Sequence, residues 1–278
     1  MNILYCGDNN IEQGLLISVL SLTEHVKEPL YIYVLTASFP TQGRHSNNIH
    51  QSLIYLLDSL VKKVNPKNFV KAIDISLLVA RDYPEINLNT IFTPASMLRL
   101  FADEVSLLPD KILYLDTDIV CRRNFFNFYC QDITKLEVVG ILDYYGKWFF
   151  HNHSWLFDYM NSGVMLLNIK RIKQTGLFTK ARKLCKSKKM FMPDQSAINK
   201  FVTHYKLAPR RYNDQRRLHK DTVFQHFTTH FGYFPKFHTI TVKPWEVDRV
   251  HSELHLHEYD DLLNRYQLIY AQHKERLK

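Results

Sequence analysis

Glycine is scarce in this 278-residue chain, at 8 residues, and none falls in a phosphate-cradling pattern. Neither a GxGxxG dinucleotide fingerprint nor a GxxxxGK[ST] loop is present, so a bound nucleotide phosphate has to be held by something else. The 4 cysteines, Cys6, Cys121, Cys130 and Cys185, are scattered without CxxC spacing. Each reads as a buried or incidental thiol rather than a zinc ligand or half of a disulfide, which fits a reducing cytoplasm. No apolar run approaches the ~18 residues that a membrane-spanning helix requires. Met1 leads straight into Ile3-Leu4-Tyr5 without a basic leader, so a cytoplasmic protein is expected. Repeats, low-complexity tracts and Gly/Ser/Pro-rich linkers are also missing. The expectation is one domain over residues 1–250 followed by a helical extension over 251–278.

What the chain does have is basic charge: 36 Lys and Arg against 27 Asp and Glu, a formal +9. The clusters are Arg122-Arg123, Lys170 to Lys189, Arg210-Arg211 and Arg216-Arg217. Such clusters attract nucleotide phosphates, acidic glycans or a lipid surface, or simply form a solvated face. Nucleic acid is not expected as a partner, because no helix-turn-helix, RNP or zinc-finger signature accompanies the charge.

Hydrophobic periodicity predicts an α/β protein. A strand over Asn2 to Cys6 stops at Gly7-Asp8-Asn9-Asn10; Ile11, Leu15, Val19, Leu22 and Val26 then recur at helical spacing, with Asn10 and Gln13 resembling a capping box. Leu30 to Leu35 completes a β-α-β unit, which argues for parallel strands. Further helices are predicted through Ile49 to Leu60 and Met97 to Leu100, and strands at Phe69 to Ile73, Ile112 to Leu115, Val138 to Leu142 and Gly163 to Leu167. Lys170 to Ser187 and Ser196 to His204 read as helices, Val223 to Phe227 as a late strand and Tyr259 to Lys278 as a terminal helix. That last helix mixes Leu262, Leu263 and Ile269 with Lys274, Arg276 and Lys278, so it docks on the core or makes peripheral contact with a membrane.

Ligands of open α/β sheets bind beyond the carboxyl ends of the strands, where Asp116-Thr117-Asp118 follows Leu115. If the backbone stays extended, alternation places both carboxylates on one face. Two anions held close repel unless a cation bridges them, and hard oxygens suit Mn²⁺ or Mg²⁺. A DxD triplet alone is a weak signal that a plain turn also explains; the apolar strand before it and the missing glycine loop strengthen the metal reading.

With these motifs in order, the chain resembles the retaining glycosyltransferases of family 8, the bacterial lipopolysaccharide galactosyl- and glucosyltransferases and their glycogenin relatives. The resemblance runs through NILYCGDNN, GLLISVLSL, PASMLRL, ILYLDTDIV, YMNSGVMLLNI, PDQSAIN and a terminal KPW. It implies a GT-A type nucleotide-sugar-binding fold, a mixed, mostly parallel sheet flanked by helices. It also implies a UDP-sugar donor, Mn²⁺ (or Mg²⁺) and a glycan, lipid-linked or glycoprotein acceptor. By position, Asp8 and Asn10 match the uracil and ribose contacts, with a capped turn as the bland alternative. Arg99 matches a donor contact, although it could form a plain ion pair. Asp143 matches a carboxylate that reaches the donor sugar, and Asn161-Ser162-Gly163 the segment lining the sugar pocket. Thr117 lies within the donor-binding triplet, and Lys243 matches the lysine at the diphosphate. Asp194 and Gln195 match the pair nearest the reacting carbon; Pro193-Asp194 is also a fair helix start with Asp194 as N-cap. This chain reads DQS where the family commonly has DQD, and Ser196 carries no role. Asp116 and Asp118 would be metal ligands, completed by His226 or, as the alternative, His238, because an insertion over Thr228 to Thr241 separates His226 from KPW.

Retaining chemistry by double displacement needs a nucleophile, and Gln195 is a poor one. Front-face attack by the acceptor hydroxyl is therefore expected, with the leaving diphosphate acting as base. The competing functions are a metal-dependent hydrolase of nucleotide sugars and a non-catalytic carbohydrate-binding protein. The latter would use the 16 Tyr and 18 Phe but has no need of DTD with KPW.

Overall fold

The computed structural model describes residues 1–41, 44–82, 84–87, 94–149, 158–232 and 238–276. In chain order its strands are β1 (Asn2–Gly7), β2 (Tyr31–Thr36), β3 (Phe39–Thr41), β4 (Arg44–Ser46), β5 (Phe69–Asp74), β6 (Lys111–Leu115), β7 (Ile119–Cys121), β8 (Val138–Leu142), β9 (Met160–Asn168), β10 (Tyr205–Leu207), β11 (Phe224–His226), β12 (His230–Gly232) and β13 (His238–Ile240). Seven of them form one sheet in the order β10-β8-β9-β6-β1-β2-β5. All neighbours are parallel except β9, which runs antiparallel to both β6 and β8. The mixed, mostly parallel sheet expected from the sequence is what forms. The reversed strand carries Asn161-Ser162-Gly163 back past the carboxyl ends of β6 and β8.

Both faces of the sheet are covered, which is why its central strands β1, β6, β8 and β9 are buried along almost their whole length, whereas the edge strands β5 and β10 carry exposed Lys71, Asp74 and Lys206. On β1, Ile3 and Tyr5 join one core cluster and Leu4 and Cys6 the other. The first cluster lies under the helices Glu12–His25, Gln51–Val64 and Asp260–Glu275. The second lies under Pro94–Glu104, Ile169–Thr175, Leu177–Ser187 and Pro193–Phe201. The terminal helix buries Leu262, Leu263 and Tyr266 in the first cluster, and the Tyr266 hydroxyl donates to Gln13 Oε1. Among the described residues, no helix is long and apolar enough to cross a membrane. Cys6, Cys121 and Cys185 are buried free thiols, while Cys130 is a free thiol at the surface.

The structure corrects several local expectations. The helix expected over Lys170 to Ser187 breaks at Gly176, whose left-handed φ of 68° ends one helix and begins the next, a conformation open to glycine at little cost. The segment carrying Met97 to Leu100 is a 3₁₀ helix, Pro94–Glu104. No capping box joins Asn10 to Gln13: Asp8 caps a short 3₁₀ turn by accepting from Asn10 N (2.9 Å), and Gln13 is spent on Tyr266. Nor is Asp194 an N-cap; Met192 holds that position, Pro193 and Asp194 are the first two helical residues, and the Asp194 side chain turns toward Arg99 and Ser162.

Candidate active site

The site is assembled at the carboxyl ends of β6, β8 and β1. Asp116-Thr117-Asp118 does not continue the strand. Asp116 N still donates to Gly163 O (2.8 Å), extending the β6–β9 ladder by one bond, but Ile119 N then donates back to Asp116 O (3.2 Å) and closes a turn. The two carboxylates therefore converge because the chain bends, not through strand alternation. The turn also diverts the backbone into β7, which pairs antiparallel with β11 in a register that sets His226 opposite Ile119. Phe227 N donates to Asp118 O (3.1 Å) and locks the two segments.

That pairing delivers His226 to the carboxylates. Its Nε2 lies 3.2 Å from Asp118 Oδ1 and 3.7 Å from Asp116 Oδ2. One ligand atom from each of Asp116, Asp118 and His226 lies within 4.8 Å of the other two, a spacing that one cation can span. On the far side of the ring, Nδ1 is 3.1 Å from Asn213 Oδ1. If Nδ1 carries the proton donated to Asn213, Nε2 presents its lone pair to the carboxylate side, the usual arrangement behind a histidine metal ligand. The backbone of His238 lies in β13, but its side chain is outside those described, so only His226 can be placed at the site.

Lys243 reaches the same point. Its Nζ is 2.5 Å from Asp118 Oδ2 and donates to Phe227 O (3.2 Å). The insertion that separates KPW from His226 contains the β12–β13 hairpin, which leaves and returns, so residues 16 apart in sequence are neighbours in space. Trp245 then anchors this segment against Gly14 of the first helix. Burial alone would raise the Asp118 carboxyl; the Lys243 ammonium, with His226 beside it, outweighs burial and holds it well below the ordinary carboxylate range.

Arg99 is the buried hub of the second half of the site. It donates from Nη2 to Asp116 Oδ1 (2.9 Å), from Nη1 to Ser162 O (2.6 Å) and from Nε to Ser96 O (2.7 Å). Nε also lies 3.3 Å from Asp194 Oδ2, and the guanidinium sits 4.3 Å from the Tyr114 ring centre. Burial works against this charge, but Asp116, Tyr114 and Asp194 outweigh it and raise its pKa further. Asp194, in turn, is raised by burial, with Arg99 opposing. Arg99 is thus paired, and its pairs include two of the carboxylates singled out from the sequence.

Asp143 and Gln195 form the remaining wall. Asp143 Oδ2 accepts from Asn161 Nδ2 (2.8 Å) and Gln195 Nε2 (3.1 Å), while Oδ1 accepts from the amides of Tyr145 (3.1 Å) and Gly146 (2.5 Å). Gln195 Oε1 accepts from Ser162 N (3.0 Å) and lies 3.3 Å from Ser162 Oγ. Asn161 Oδ1 accepts from Gly163 N (2.9 Å) and from Asn213 Nδ2 (2.8 Å), which connects this wall to His226. Gly163 is neither a turn nor a hinge: a Cβ there would lie 2.3 Å from His226 Cε1 and 2.9 Å from Asp116 Oδ2. Asp8 is buried at the end of β1 and accepts from Ser46 Oγ (2.9 Å), whereas Asn10 is exposed beside it. Thr117 sits at the apex of the turn, its carbonyl facing Gly14.

Three participants were not singled out from the sequence. Tyr114, whose hydroxyl donates to Asp116 Oδ1 (2.6 Å), stands two residues before it on the strand, a spacing that could have been noticed. Asn213 lies in RRYNDQRR, which carries no pattern, and Asn199 binds Gln195 O (2.8 Å) from one helical turn away.

Comparison with known proteins identifies the family and the fold. The profile of glycosyl transferase family 8 matches residues 2–248. A lipopolysaccharide 1,2-glucosyltransferase of Escherichia coli is 25% identical over 262 residues, covering 82% of this chain and 71% of that protein. Among solved structures, an active-site mutant of LgtC superimposes with a TM-score of 0.70 at 17% identity, covering 98% of this chain and 96% of that one. The galactosyltransferase LgtC in complex with donor and acceptor sugar analogs gives 0.68 at 18% identity, covering 95% and 96%. GlyE of Streptococcus pneumoniae TIGR4 gives 0.60 at 18% identity, covering 95% of this chain and 63% of that one. The fold is of the GT-A type, and the chain belongs to glycosyl transferase family 8.

Proposed function

We propose that the chain transfers a hexose, galactose or glucose, from a uridine-diphosphate sugar to a glycan, lipid-linked or glycoprotein acceptor, with the anomeric configuration retained. The observation that carries the reading is the meeting, in one connected network, of the Asp116–Asp118–His226 trio and Lys243 with Asp143, Asn161, Asp194 and Gln195. The relatives differ in sugar: the Escherichia coli protein is named a glucosyltransferase and LgtC a galactosyltransferase, so both hexoses stay in the proposal. Residues 1–250 are proposed as the catalytic domain and 251–278 as its helical extension.

Two carboxylates and one imidazole make a donor set that suits Mn²⁺, or Mg²⁺ less closely because of the nitrogen. When bound, the ion supplies Lewis-acid stabilisation of the negative charge on the departing diphosphate. Lys243 adds a cation to the same diphosphate by moving off Asp118. Asp8 and Asn10 receive the nucleoside at the end of β1. Arg99 holds Asp116 and Asp194 in place, Thr117 belongs to the turn beneath the diphosphate, and Asn161-Ser162-Gly163 line the sugar.

The hydrogen bonding supports front-face attack. Asp143 is engaged by four donors, and Asp194 Oδ2 is held by Arg99 and Ser162, so both carboxylates are fixed as supports in this network. The Gln195 amide is held at both ends and supports the cationic sugar without bonding to it. The acceptor oxygen forms its bond to the anomeric carbon as the carbon–phosphate oxygen bond breaks, and the hydroxyl proton passes to the departing phosphate oxygen.

Incubation with UDP-galactose and UDP-glucose separately, with Mn²⁺ or Mg²⁺, tests the proposal. Slow UDP release without acceptor is expected, lost on chelation and in Asp116→Asn/Asp118→Asn. No UDP release and no calorimetric donor binding with either sugar would leave a non-catalytic protein instead.

A further inference from the structure

A cavity of about 320 Å³ opens where the end of β8 meets the segment after β10. Its volume is that of a small-ligand site. The cavity shares a wall with the proposed transfer site. Asn213, which contacts both His226 and Asn161, lines it. Leu142 and Tyr144, which flank Asp143, line it as well. Gln215 ties the two sides, accepting from Tyr144 N (2.9 Å) and donating to Leu142 O (2.9 Å). Asp116, Asp118 and Lys243 are not part of the lining, so this space is distinct from the place of the donor diphosphate.

The lining is basic, and its basic residues fall into two groups. Arg210 is neutralised on Asp214 and on Asp221 (2.7 Å), and His219 Nδ1 lies 2.7 Å from Asp214 Oδ2. Lys147, Arg216 and Arg217 have no carboxylate partner among the described residues. Arg216 donates to the Tyr144 hydroxyl, and Arg216 and Lys147 each lie 5.3 Å from the centre of the Tyr144 ring, so two cations are gathered on one aromatic side chain. Arg217 Nε donates to His219 Nε2 (3.0 Å), which fixes its head on the same rim. Like charges gathered in this way repel, and an anion seated among them removes the repulsion. The planar guanidinium heads can grip phosphate or carboxylate in bidentate fashion.

We infer that this cavity binds an anionic substituent, a phosphate or a carboxylate, carried by the acceptor. The inference rests on the transfer reading above, because the cavity is an acceptor subsite only if transfer takes place beside Asp143 and Gln195. The acceptor class it selects is an acidic glycan or glycophosphate rather than a neutral sugar. Since the arginines are exposed, the selection weakens as salt rises.

Equilibrium binding at low ionic strength tests it, with glucose 6-phosphate, glucuronate and glucose as probes. One or both anions should bind and glucose should not; the tighter anion identifies the substituent. Arg216→Gln/Arg217→Gln should weaken anion binding by about tenfold or more. Arg216→Lys/Arg217→Lys should recover part of it, and Lys63→Gln/Lys67→Gln, at the end of the helix Gln51–Val64 and in the turn that follows it, should change nothing. Anions bound no better than glucose, or bound equally by the glutamine variant, would overturn the inference. UDP release by the wild type reads the transfer proposal separately. Release without anion binding removes only the cavity assignment, and anion binding without release removes its role as an acceptor subsite.

Discussion

Gly163 and His226 approach so closely that a Cβ on Gly163 would lie 2.3 Å from His226 Cε1 and 2.8 Å from Nδ1. The imidazole is pinned between this backbone and the Asp118 carboxylate, with Asn213 behind it. Gly163→Ala must therefore push the ring off its position. Overpacking of this kind costs about 1–3 kcal/mol, and a displaced catalytic group loses on the order of 100-fold in rate. The expected outcome is a folded protein with a modestly lower Tm, weaker Mn²⁺ binding by calorimetry and UDP release down on the order of 100-fold.

Asn213 makes no contact with the carboxylates but orients the ring that does. Asn213→Ala is expected to weaken Mn²⁺ affinity by about 10–100-fold, as removal of a partner behind a metal-bound histidine does. Saturating Mn²⁺ should restore much of the UDP release. A substitution that merely loosened the fold would not be rescued by metal.

Gln195 is braced at its oxygen by Ser162 and at its nitrogen by Asp143, an arrangement that presents the amide without making it nucleophilic. Gln195→Ala should lower kcat by 10-fold or more, as order of magnitude, with little change in donor binding. A kcat within about twofold of wild type would remove Gln195 from the reaction.

Away from the site, Glu137 Oε2 accepts from the amides of Thr203 (2.7 Å) and His204 (2.8 Å) and so fastens the start of β8 to the segment entering β10. Burial would raise this carboxyl, but its hydrogen bonds outweigh burial and lower it below its ordinary 4.5. A depressed folded-state pKa gives stability that is present above the unfolded value and lost as pH falls through the folded one. Glu137→Gln should therefore cost about 1–3 kcal/mol near neutral pH. The difference from wild type, read from urea midpoints, should shrink as pH falls below 4.5.

Much of this architecture is legible in the sequence because its central strands are buried on both faces and its motifs sit at strand ends. Leu115 before Asp116 marks a strand running into a carboxylate pair, and the PDQ and NSG segments, both singled out from the sequence, lie side by side, with Gln195 and Asp194 against Ser162. What escaped depends on non-local pairing or on backbone choices that residue types leave open. Alternation suggested an extended DTD, but the turn closed by Ile119 N is equally compatible with those residues and is what forms. Nothing local to His226 shows that β11 pairs with β7 and carries it to Asp118, and the β12–β13 hairpin conceals how near Lys243 lies. The reversal of β9 is invisible in its apolar pattern, since a strand buried on both faces reads alike in either direction. Asn213 left no trace because one asparagine in a basic loop matches no spacing.

The central claim, transfer with retention at the Asp116–Asp118–His226 site, is tested most directly by the anomer first released from a UDP-α-hexose. Proton NMR on the early time course of UDP-glucose or UDP-galactose turnover with Mn²⁺, before mutarotation, reads it. The account predicts the α-anomer from the wild-type protein and no turnover from Asp116→Asn/Asp118→Asn. A β-anomer as first product, or turnover undiminished in that double variant, would contradict it.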